Sequence, residues 1–237
     1  MNSCSFLGLG ELRRLGSRLR RLQIAFAALA AFVPLAGHAA SILDYTEADQ
    51  LGLDSPSKTF LYALTTASAA DGLTVGNATF EYDPLSGGLI LGAFDVDPWG
   101  TPTISGSTNP TDDANLTRVT ESIRVGPLSV TLTGLTVGAT YELQLLFHER
   151  DTFDRQFDVL LDGTSIVPAG FTSGQGVNRA VIEVFEAGSS SVVITMPNGP
   201  NQATLNALTL AIPEPSGPVL IFGLLIGALV FRKQRRG

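Results

Sequence analysis

Apolar and polar residues alternate with a period of two through most of residues 59–212. The alternation is clearest at four apolar positions, Tyr141, Leu143, Leu145 and Phe147. The polar residues between and after them would face the other side of a strand. No segment of this region shows a sustained period of 3.6, so we expect strands rather than helices throughout.

A hairpin is the most clearly predicted local structure. The alternation over 157–161 precedes Asp162-Gly163, a dipeptide typical of two-residue turns, and residues 164–167 would form the returning strand. Numerous short strands separated by turn residues predict an all-β fold, an antiparallel β-sandwich of jelly-roll type. The other predicted strands are 78–82, 88–94, 122–125, 129–132, 179–186, 190–196 and 204–212.

The least regular stretch is 95–114, where prolines and glycines stand among threonines and serines. We expect a long loop here, which is either a binding surface or a mobile connection.

Composition agrees with a folded β domain. Of 237 residues, 44% are hydrophobic and 16% charged, which is too apolar for a disordered chain, and 25 glycines with 13 prolines argue against a helical bundle. The body of the chain, residues 41–212, is long enough to bury a core without disulfides. The one cysteine, Cys4, lies outside that body, which therefore has no disulfide and no cysteine metal site.

The charge is distributed unevenly. Residues 41–212 contain 6 basic and 20 acidic residues, a net charge of −14, while the other basic residues lie near the two ends. A body this acidic repels phosphate backbones, which excludes nucleic acid as a partner.

The N-terminal 40 residues have the pattern of a secretory signal peptide. Five arginines between residues 13 and 21 precede an apolar stretch, 22–35, and a run of small residues follows. We expect signal peptidase to cleave after Ala39 or Ala40. An uncleaved membrane anchor is the alternative.

The C-terminal end, 213–237, combines three features. Pro213-Glu214-Pro215 comes first, and an apolar run over 219–231 follows, shorter than the roughly 20 residues of an ordinary membrane helix. The basic residues after the run would stay cytoplasmic and place 41–212 on the far side of the membrane. These basic residues are Arg232, Lys233, Arg235 and Arg236.

In this order, the three features resemble the PEP-CTERM sorting signal of exported proteins in Gram-negative bacteria that make exopolysaccharide. The resemblance implies a short transmembrane sorting helix, transient anchoring in the inner membrane and cleavage by an exosortase, a membrane cysteine transpeptidase. The mature protein would then be released or attached at the cell surface. A plain tail anchor after a Pro-Glu-Pro linker is the alternative.

A second resemblance lies in the body. Residues 132–141 carry a Gly-Ala-Thr-Tyr strand entry, Phe147-His148-Glu149 ends that strand, and Arg155 to Val159 leads to the Asp162-Gly163 turn. This order is similar to malectin-like and galactose-binding-like β-sandwiches. Malectin-like lectins hold sugars with exposed aromatic side chains from loops of their N-terminal half, and no position here is matched to those.

Charged residues crowd the segment 148–155, which includes His148 and Arg155 as candidate ligand-binding residues. A histidine with a neighbouring carboxylate can act as a general acid and base. No Gly-x-Ser-x-Gly elbow, His-x-x-x-His pair or phosphate-binding glycine loop accompanies them, so we predict a protein that is not an enzyme. The alternative interpretation is that this segment is a solvated hairpin tip whose surface ion pairs are weak.

Acidic loops are candidates for a structural Ca²⁺, because hard cations prefer carboxylate and carbonyl oxygens. None of them has the spacing of an EF-hand. Such loops could equally serve only to keep an exported domain soluble. The candidate ligands are Asp95, Asp97, Asp112, Asp113, Asp151 and Asp154.

Trp99 is the single tryptophan and lies in the irregular stretch. If exposed, its ring would form a platform for a sugar, with Asp97 accepting from sugar hydroxyls. If buried, it would plug one end of the sandwich core.

Together these features predict a signal peptide (1–40), an exported sandwich (41–212) and a sorting signal (213–237). The predicted function is a non-catalytic surface or extracellular-matrix protein that interacts with exopolysaccharide. A matrix-acting hydrolase and a calcium-stabilised spacer without ligand are the alternatives.

Overall fold

The computed structural model of the chain describes residues 39–150 and 153–213. Residues 1–38 of the predicted signal peptide (1–40) and the predicted sorting helix lie outside these residues, as do Asp151, Glu214, Pro215, Arg232, Lys233, Arg235 and Arg236. Within the described part, no helix has the length and apolar character needed to cross a membrane.

The described residues form sixteen β-strands, one α-helix and two short 3-10 helices, Ala48–Leu51 and Ser68–Ala70. The helix α1 is Pro110–Val119. The strands are β1 (Ser41–Tyr45), β2 (Thr59–Thr65), β3 (Thr74–Val75), β4 (Ala78–Thr79), β5 (Glu81–Tyr82), β6 (Ile90–Leu91), β7 (Phe94–Val96), β8 (Ile123–Val125), β9 (Leu128–Thr133), β10 (Thr140–His148), β11 (Leu160–Leu161), β12 (Thr164–Ser165), β13 (Asn178–Glu186), β14 (Ser191–Met196), β15 (Thr204–Leu205) and β16 (Ala207–Ile212).

The largest sheet has six strands in the order β1-β13-β10-β16-β2-β5. Its neighbours are antiparallel except for the short parallel pair β2–β5. The longest ladder joins β10 to β13, from Thr140 opposite Glu186 to His148 opposite Asn178. Strand β10 therefore lies inside the sheet, with β13 on one side and β16 on the other.

A second sheet of five strands, β12-β11-β14-β9-β6, packs against the first. Leu143 and Leu145 of β10 are completely buried in a cluster that also contains Val130 of β9 and Ile194 of β14. This shared core confirms the predicted β-sandwich. Two smaller sheets, β15-β8-β7 and β3-β4, complete the described strands.

The six-stranded sheet also buries its second face. Leu146 of β10 and Ala180 of β13 belong to a separate apolar cluster, which includes Leu116 and Val119 of α1. The alternation along β10 had indicated a polar outer face, and His148 on that face is only 8% exposed. Because α1 and the loops before it cover much of this face, most side chains on both faces of β10 are buried.

Helix α1 shortens the predicted loop 95–114, which ends at residue 109, and corrects the expectation that the body contains no helix. Asn109 caps it by accepting a hydrogen bond from the Thr111 N–H at 3.2 Å, and Pro110 occupies the first turn, where its missing N–H costs nothing. The helix buries only Asp113, Leu116 and Val119. Three buried positions, one of them charged, are too few to produce a visible apolar period.

The predicted hairpin is confirmed. Leu160 pairs with Ser165 and Leu161 with Thr164, so Asp162-Gly163 forms the two-residue turn. Both turn residues have positive φ, 48° and 81°, as a twisted hairpin of this length requires.

Strand direction determines what lies at each end of the six-stranded sheet. Tyr45 at the end of β1, Asn178 at the start of β13 and His148 at the end of β10 form one row across three strands. Strand β16 runs the other way, so Ile212 lies near the opposite end of the sheet, opposite Thr59.

Candidate functional site

A cleft of about 840 Å³ opens at the row formed by Tyr45, Asn178 and His148. The strands bring these three residues together because β1 and β10 both pair with β13 at Asn178. Hydroxyl groups and two charged side chains complete the lining. The lining residues are Asp44, Tyr45, Thr46, Gly100, Thr101, Thr103, Ser105, His148, Arg150, Gly176, Val177 and Asn178.

The segment 99–105 forms one wall of the cleft and is fixed by backbone hydrogen bonds. The N–H groups of Trp99 and Gly100 donate to the Glu121 carbonyl at 2.7 and 3.1 Å. Ser105 N–H donates to the Thr46 carbonyl at 2.7 Å, and the Asn178 amide donates to the Thr103 carbonyl at 3.3 Å. The wall is therefore attached to Glu121, which precedes β8, at its start and to the sheet end through Thr103 and Ser105.

Trp99 is half-buried between cations and a second aromatic ring. Its ring centroid lies 5.0 Å from that of Phe153, and the guanidinium carbons of Arg150 and Arg155 lie 5.3 and 5.5 Å from it. At these distances the cations interact with the indole face. The ring belongs to neither apolar cluster of the described residues, so it is not a core plug, and one side of it adjoins the cleft through Arg150.

Glu149 lies between two lining residues in sequence, His148 and Arg150, and is completely buried. Its Oε1 accepts from Thr204 at 2.9 Å and Ser173 at 3.1 Å, and lies 3.1 Å from Nε of Arg155. Burial raises the pKa of the Glu149 carboxyl, although the Arg155 guanidinium opposes this effect. Arg155 is thus held between a carboxylate and two aromatic rings rather than in the cleft.

Asp97 serves as an anchor in this structure. Its carboxylate accepts from the hydroxyl of Ser68 at 2.8 Å and from that of Ser122. Burial opposes ionisation here, but the hydrogen bonds from Ser122 and Ser68 hold the pKa of Asp97 below its ordinary value. The carboxylate therefore holds the start of the Trp99 segment, and it does not line the cleft.

Asp95 is engaged by a buried arginine. Arg124 is completely buried, and its Nε and Nη2 donate to the two carboxylate oxygens of Asp95 at 2.6 and 2.8 Å. Its Nη1 donates to Asp83 at 2.8 Å. Although burial lowers it, the pKa of Arg124 is raised overall by the two carboxylates.

The other predicted calcium ligands are spread over the molecule. Asp112 and Asp113 lie in the first turn of α1, and buried Asp113 accepts from the N–H groups of Ala48 and Ser107 at 2.8 and 3.0 Å. Asp154 borders a second cleft of about 550 Å³ beside Phe153 and Arg155. Among residues 39–150 and 153–213, no three His, Cys, Asp or Glu side chains are placed to hold one metal ion. Calcium binding stays a prediction.

The two residues at the predicted signal cleavage site differ in their contacts. Ala39 is exposed, while Ala40 packs against the sandwich core and its N–H donates to the Ile166 carbonyl at 2.9 Å. Cleavage after Ala39 would keep this bond within the mature chain, and cleavage after Ala40 would remove it. Pro213, the first residue of the sorting motif, follows β16 directly.

The structure brings together three of the four predicted ligand-binding residues, Trp99, His148 and Arg155, at one end of the sheet. Most of the cleft lining was not predicted, including Asp44, Tyr45 and Asn178. Their proximity arises from strand pairing between segments more than 100 residues apart. No local sequence signal could have identified them.

Neither a sequence model of a protein family nor a curated protein matches the chain. Among solved structures, a chain in the crystal structure of the plant peptide RALF23 in complex with FER and LLG2 is similar, with a TM-score of 0.50 and 17% identity. The likeness covers 67% of this chain and 50% of that one, so the present chain spans about half its length.

Two further likenesses are weaker. The ANX2 ectodomain from Arabidopsis thaliana has a TM-score of 0.46 at 13% identity, over 67% of this chain and 51% of that one. A calcium binding mutant of Bacteroides uniformis beta-glucuronidase 2 has a TM-score of 0.45 at 14% identity. The likeness covers 66% of this chain and 18% of that one. Below 0.5 such a score carries no weight. What the first likeness establishes is a shared β-sandwich fold.

Proposed function

We propose that this chain is an exported, non-catalytic surface or matrix protein whose sandwich domain binds exopolysaccharide. The observation that carries the proposal is the cleft at the end of the six-stranded sheet, with the Trp99 segment as its wall. The sorting-signal resemblance and the signal-peptide pattern supply the export route, through signal peptidase and an exosortase.

The cleft suits a saccharide in size and chemistry. Its volume of about 840 Å³ falls within the range of small-molecule sites. Thr101, Thr103 and Ser105 contribute hydroxyls from the wall, and Asn178 lies at its base. Hydroxyl and amide groups can donate to and accept from sugar hydroxyls.

The arrangement of carboxylates favours binding over hydrolysis. Glycosidases use two carboxyl groups that flank the bond to be cleaved. In the described lining, Asp44 is the one carboxylate, and its two oxygens accept from Arg179 at 2.6 and 3.0 Å. Asp44 thus forms an ion pair with Arg179 rather than one half of a catalytic acid–base pair. A hydrolase is accordingly the weaker candidate.

The test is affinity electrophoresis of residues 40–213 through gels containing exopolysaccharide extracted from the source organism. Retardation by the polymer is the expected result. Replacing Thr101, which is exposed in the cleft wall, with tryptophan should fill the cleft and abolish retardation. The matched control is Thr131→Trp at an exposed position of β9, outside the lining, which should migrate like the wild type.

Equal retardation of both variants would contradict the cleft as the site, and migration unaffected by the polymer would contradict polysaccharide binding. Melting temperatures measured with calcium and with chelator distinguish the third candidate, a calcium-stabilised spacer without ligand, from a polysaccharide-binding domain. If the polymer does not retard the chain while chelation lowers the melting temperature, the calcium-stabilised spacer replaces the binding domain.

A further inference from the structure

Arg150 gives the cleft a local positive charge in a strongly acidic body. Lys58, Arg124, Arg155 and Arg179 each form an ion pair with a carboxylate. Within residues 39–150 and 153–213, Arg150 and Arg118 are the two basic side chains without an ion pair, and of these only Arg150 lines the cleft.

The guanidinium of Arg150 is held in place without being neutralised. Its stem packs against Gly100, where an added Cβ would lie 3.1 Å from Cγ of Arg150. Its guanidinium carbon lies 5.3 Å from the centre of the Trp99 ring. An indole face orients the cation and leaves its N–H donors available. The side chain thus loses little freedom when it binds an anion.

The remaining charges of the lining do not cancel this cation. The Asp44 carboxylate is bound through both oxygens to Arg179, which compensates its charge. Glu149, next to Arg150 in sequence, is completely buried, is not part of the lining and is paired with Arg155. Among the described residues of the lining, an anionic group that enters therefore meets Arg150 as an uncompensated donor, with hydroxyls around it. The acidic body as a whole repels anions, so the attraction is local to Arg150.

From this geometry we infer that the cleft is selective for acidic saccharides, and that Arg150 binds the sugar carboxylate of a uronic-acid residue. The inference rests on the proposed function, since it specifies which class of polysaccharide the cleft takes. A guanidinium can donate two parallel hydrogen bonds to a carboxylate, which a neutral hydroxymethyl group in the same position cannot accept with equal strength.

Affinity electrophoresis with two forms of one polymer tests this inference. The first gel contains the extracted exopolysaccharide, and the second contains the same material after its carboxyl groups have been reduced to alcohols. We expect the carboxyl-reduced polymer to bind at least about tenfold more weakly, the factor associated with one charge-assisted hydrogen bond.

Two variants with the same change of charge identify the residue. Arg150→Gln should lower the affinity for the native polymer by about the same factor and leave the residual affinity for the reduced polymer unchanged. Arg118→Gln, on the exposed surface of α1, should bind both polymers like the wild type.

The outcomes distinguish the inference from the proposed function. Equal retardation by native and reduced polymer would leave the cleft a polysaccharide site and overturn its selectivity for acidic sugars. An effect of Arg118→Gln as large as that of Arg150→Gln would mean that binding depends on the overall charge of the protein. That result would overturn the role of Arg150. Failure of both polymers to retard the wild type would overturn the proposed function itself.

Discussion

Arg124 is completely buried, so groups within the protein must compensate its positive charge and accept its hydrogen bonds. Asp83 and Asp95 supply the charge, and the Asp83 and Ile90 carbonyls accept further hydrogen bonds. The arginine thereby joins β8 to β7 and to the segment that enters β6. Removing it would leave two carboxylates in a dry environment.

Replacing Arg124 with methionine should lower the free energy of unfolding by about 3–5 kcal/mol, the cost of breaking a buried ion pair from one side. Urea denaturation measures this loss. The control is Lys58→Met, which removes a more exposed pair with Glu142 and should cost no more than about 1 kcal/mol. A loss for Arg124→Met as small as that control would contradict the assigned role.

The raised pKa of Glu149 predicts how stability depends on pH. The folded protein retains the Glu149 proton to higher pH than the unfolded chain does, so this group's contribution to stability falls as pH rises above about 4.3. Glutamine does not titrate. The wild type should therefore lose stability relative to Glu149→Gln as pH increases from about 4 towards 7.

Urea unfolding of both proteins at several pH values measures that difference. A difference that is independent of pH, or one that grows in favour of the wild type as pH rises, would contradict the effect of burial on Glu149.

At the scale of elements, the sequence predicts best where local chemistry decides the structure. The Asp162-Gly163 hairpin follows from a turn dipeptide, and β13 and β14 follow from alternation. Helix α1 was missed because its three buried positions carry little apolar signal, although Asn109 and Pro110 form a recognisable helix start. Its stability comes from packing on the sheet, which local sequence does not report.

The hairpin permits a test of backbone conformation alone. Gly163 has φ of 81° and no atom within 4 Å of an added Cβ, so Gly163→Ala introduces conformational strain without a clash. It should lower the free energy of unfolding by about 1–2 kcal/mol. Gly188 also has open space around it but no left-handed φ, so Gly188→Ala should change stability by less than about 0.5 kcal/mol. Denaturation curves of equal midpoint would contradict the assigned turn.

Local sequence also does not report the contacts between distant segments that form the candidate site. Trp99, His148 and Arg155 were identified from sequence because tryptophan, histidine and a charge cluster are chemically conspicuous. Asn178 and Asp44 are ordinary strand residues whose role follows from the register of β1 and β10 on β13. The contacts of Asp97 could not be predicted for the same reason, since Ser68 and Ser122, which donate to it, are distant in sequence.

At the scale of the whole molecule, the six-stranded sheet is a middle layer. Alternation along β10 correctly identified the face that packs on the five-stranded sheet. It could not show that the opposite face is also covered, because Gln144 and His148 are polar yet buried. Gln144 donates to the Leu51 carbonyl at 2.9 Å, and His148 lies beside Gly100, so segments distant in sequence cover them, and these reach the sheet only in the folded state.

Adjacent leucines on β10 test this three-layer arrangement. Leu145 belongs to the sandwich core and Leu146 to the cluster under α1, and both are completely buried. Replacing either one with alanine should lower the free energy of unfolding by about 2–5 kcal/mol in urea denaturation. If the second face were open to water, Leu146→Ala would cost far less than Leu145→Ala, which is the result that contradicts the arrangement.

The direction of β16 has a consequence for how the domain is displayed. Ile212 lies level with the start of β10, seven residues from the row that contains His148, which at about 3.3 Å per residue is roughly 23 Å. Pro213, the last described residue, therefore lies at the end of the domain opposite the cleft. A protein fastened to the cell through that end would hold its cleft outward, facing the surrounding matrix, without needing a spacer to lift it clear of the surface.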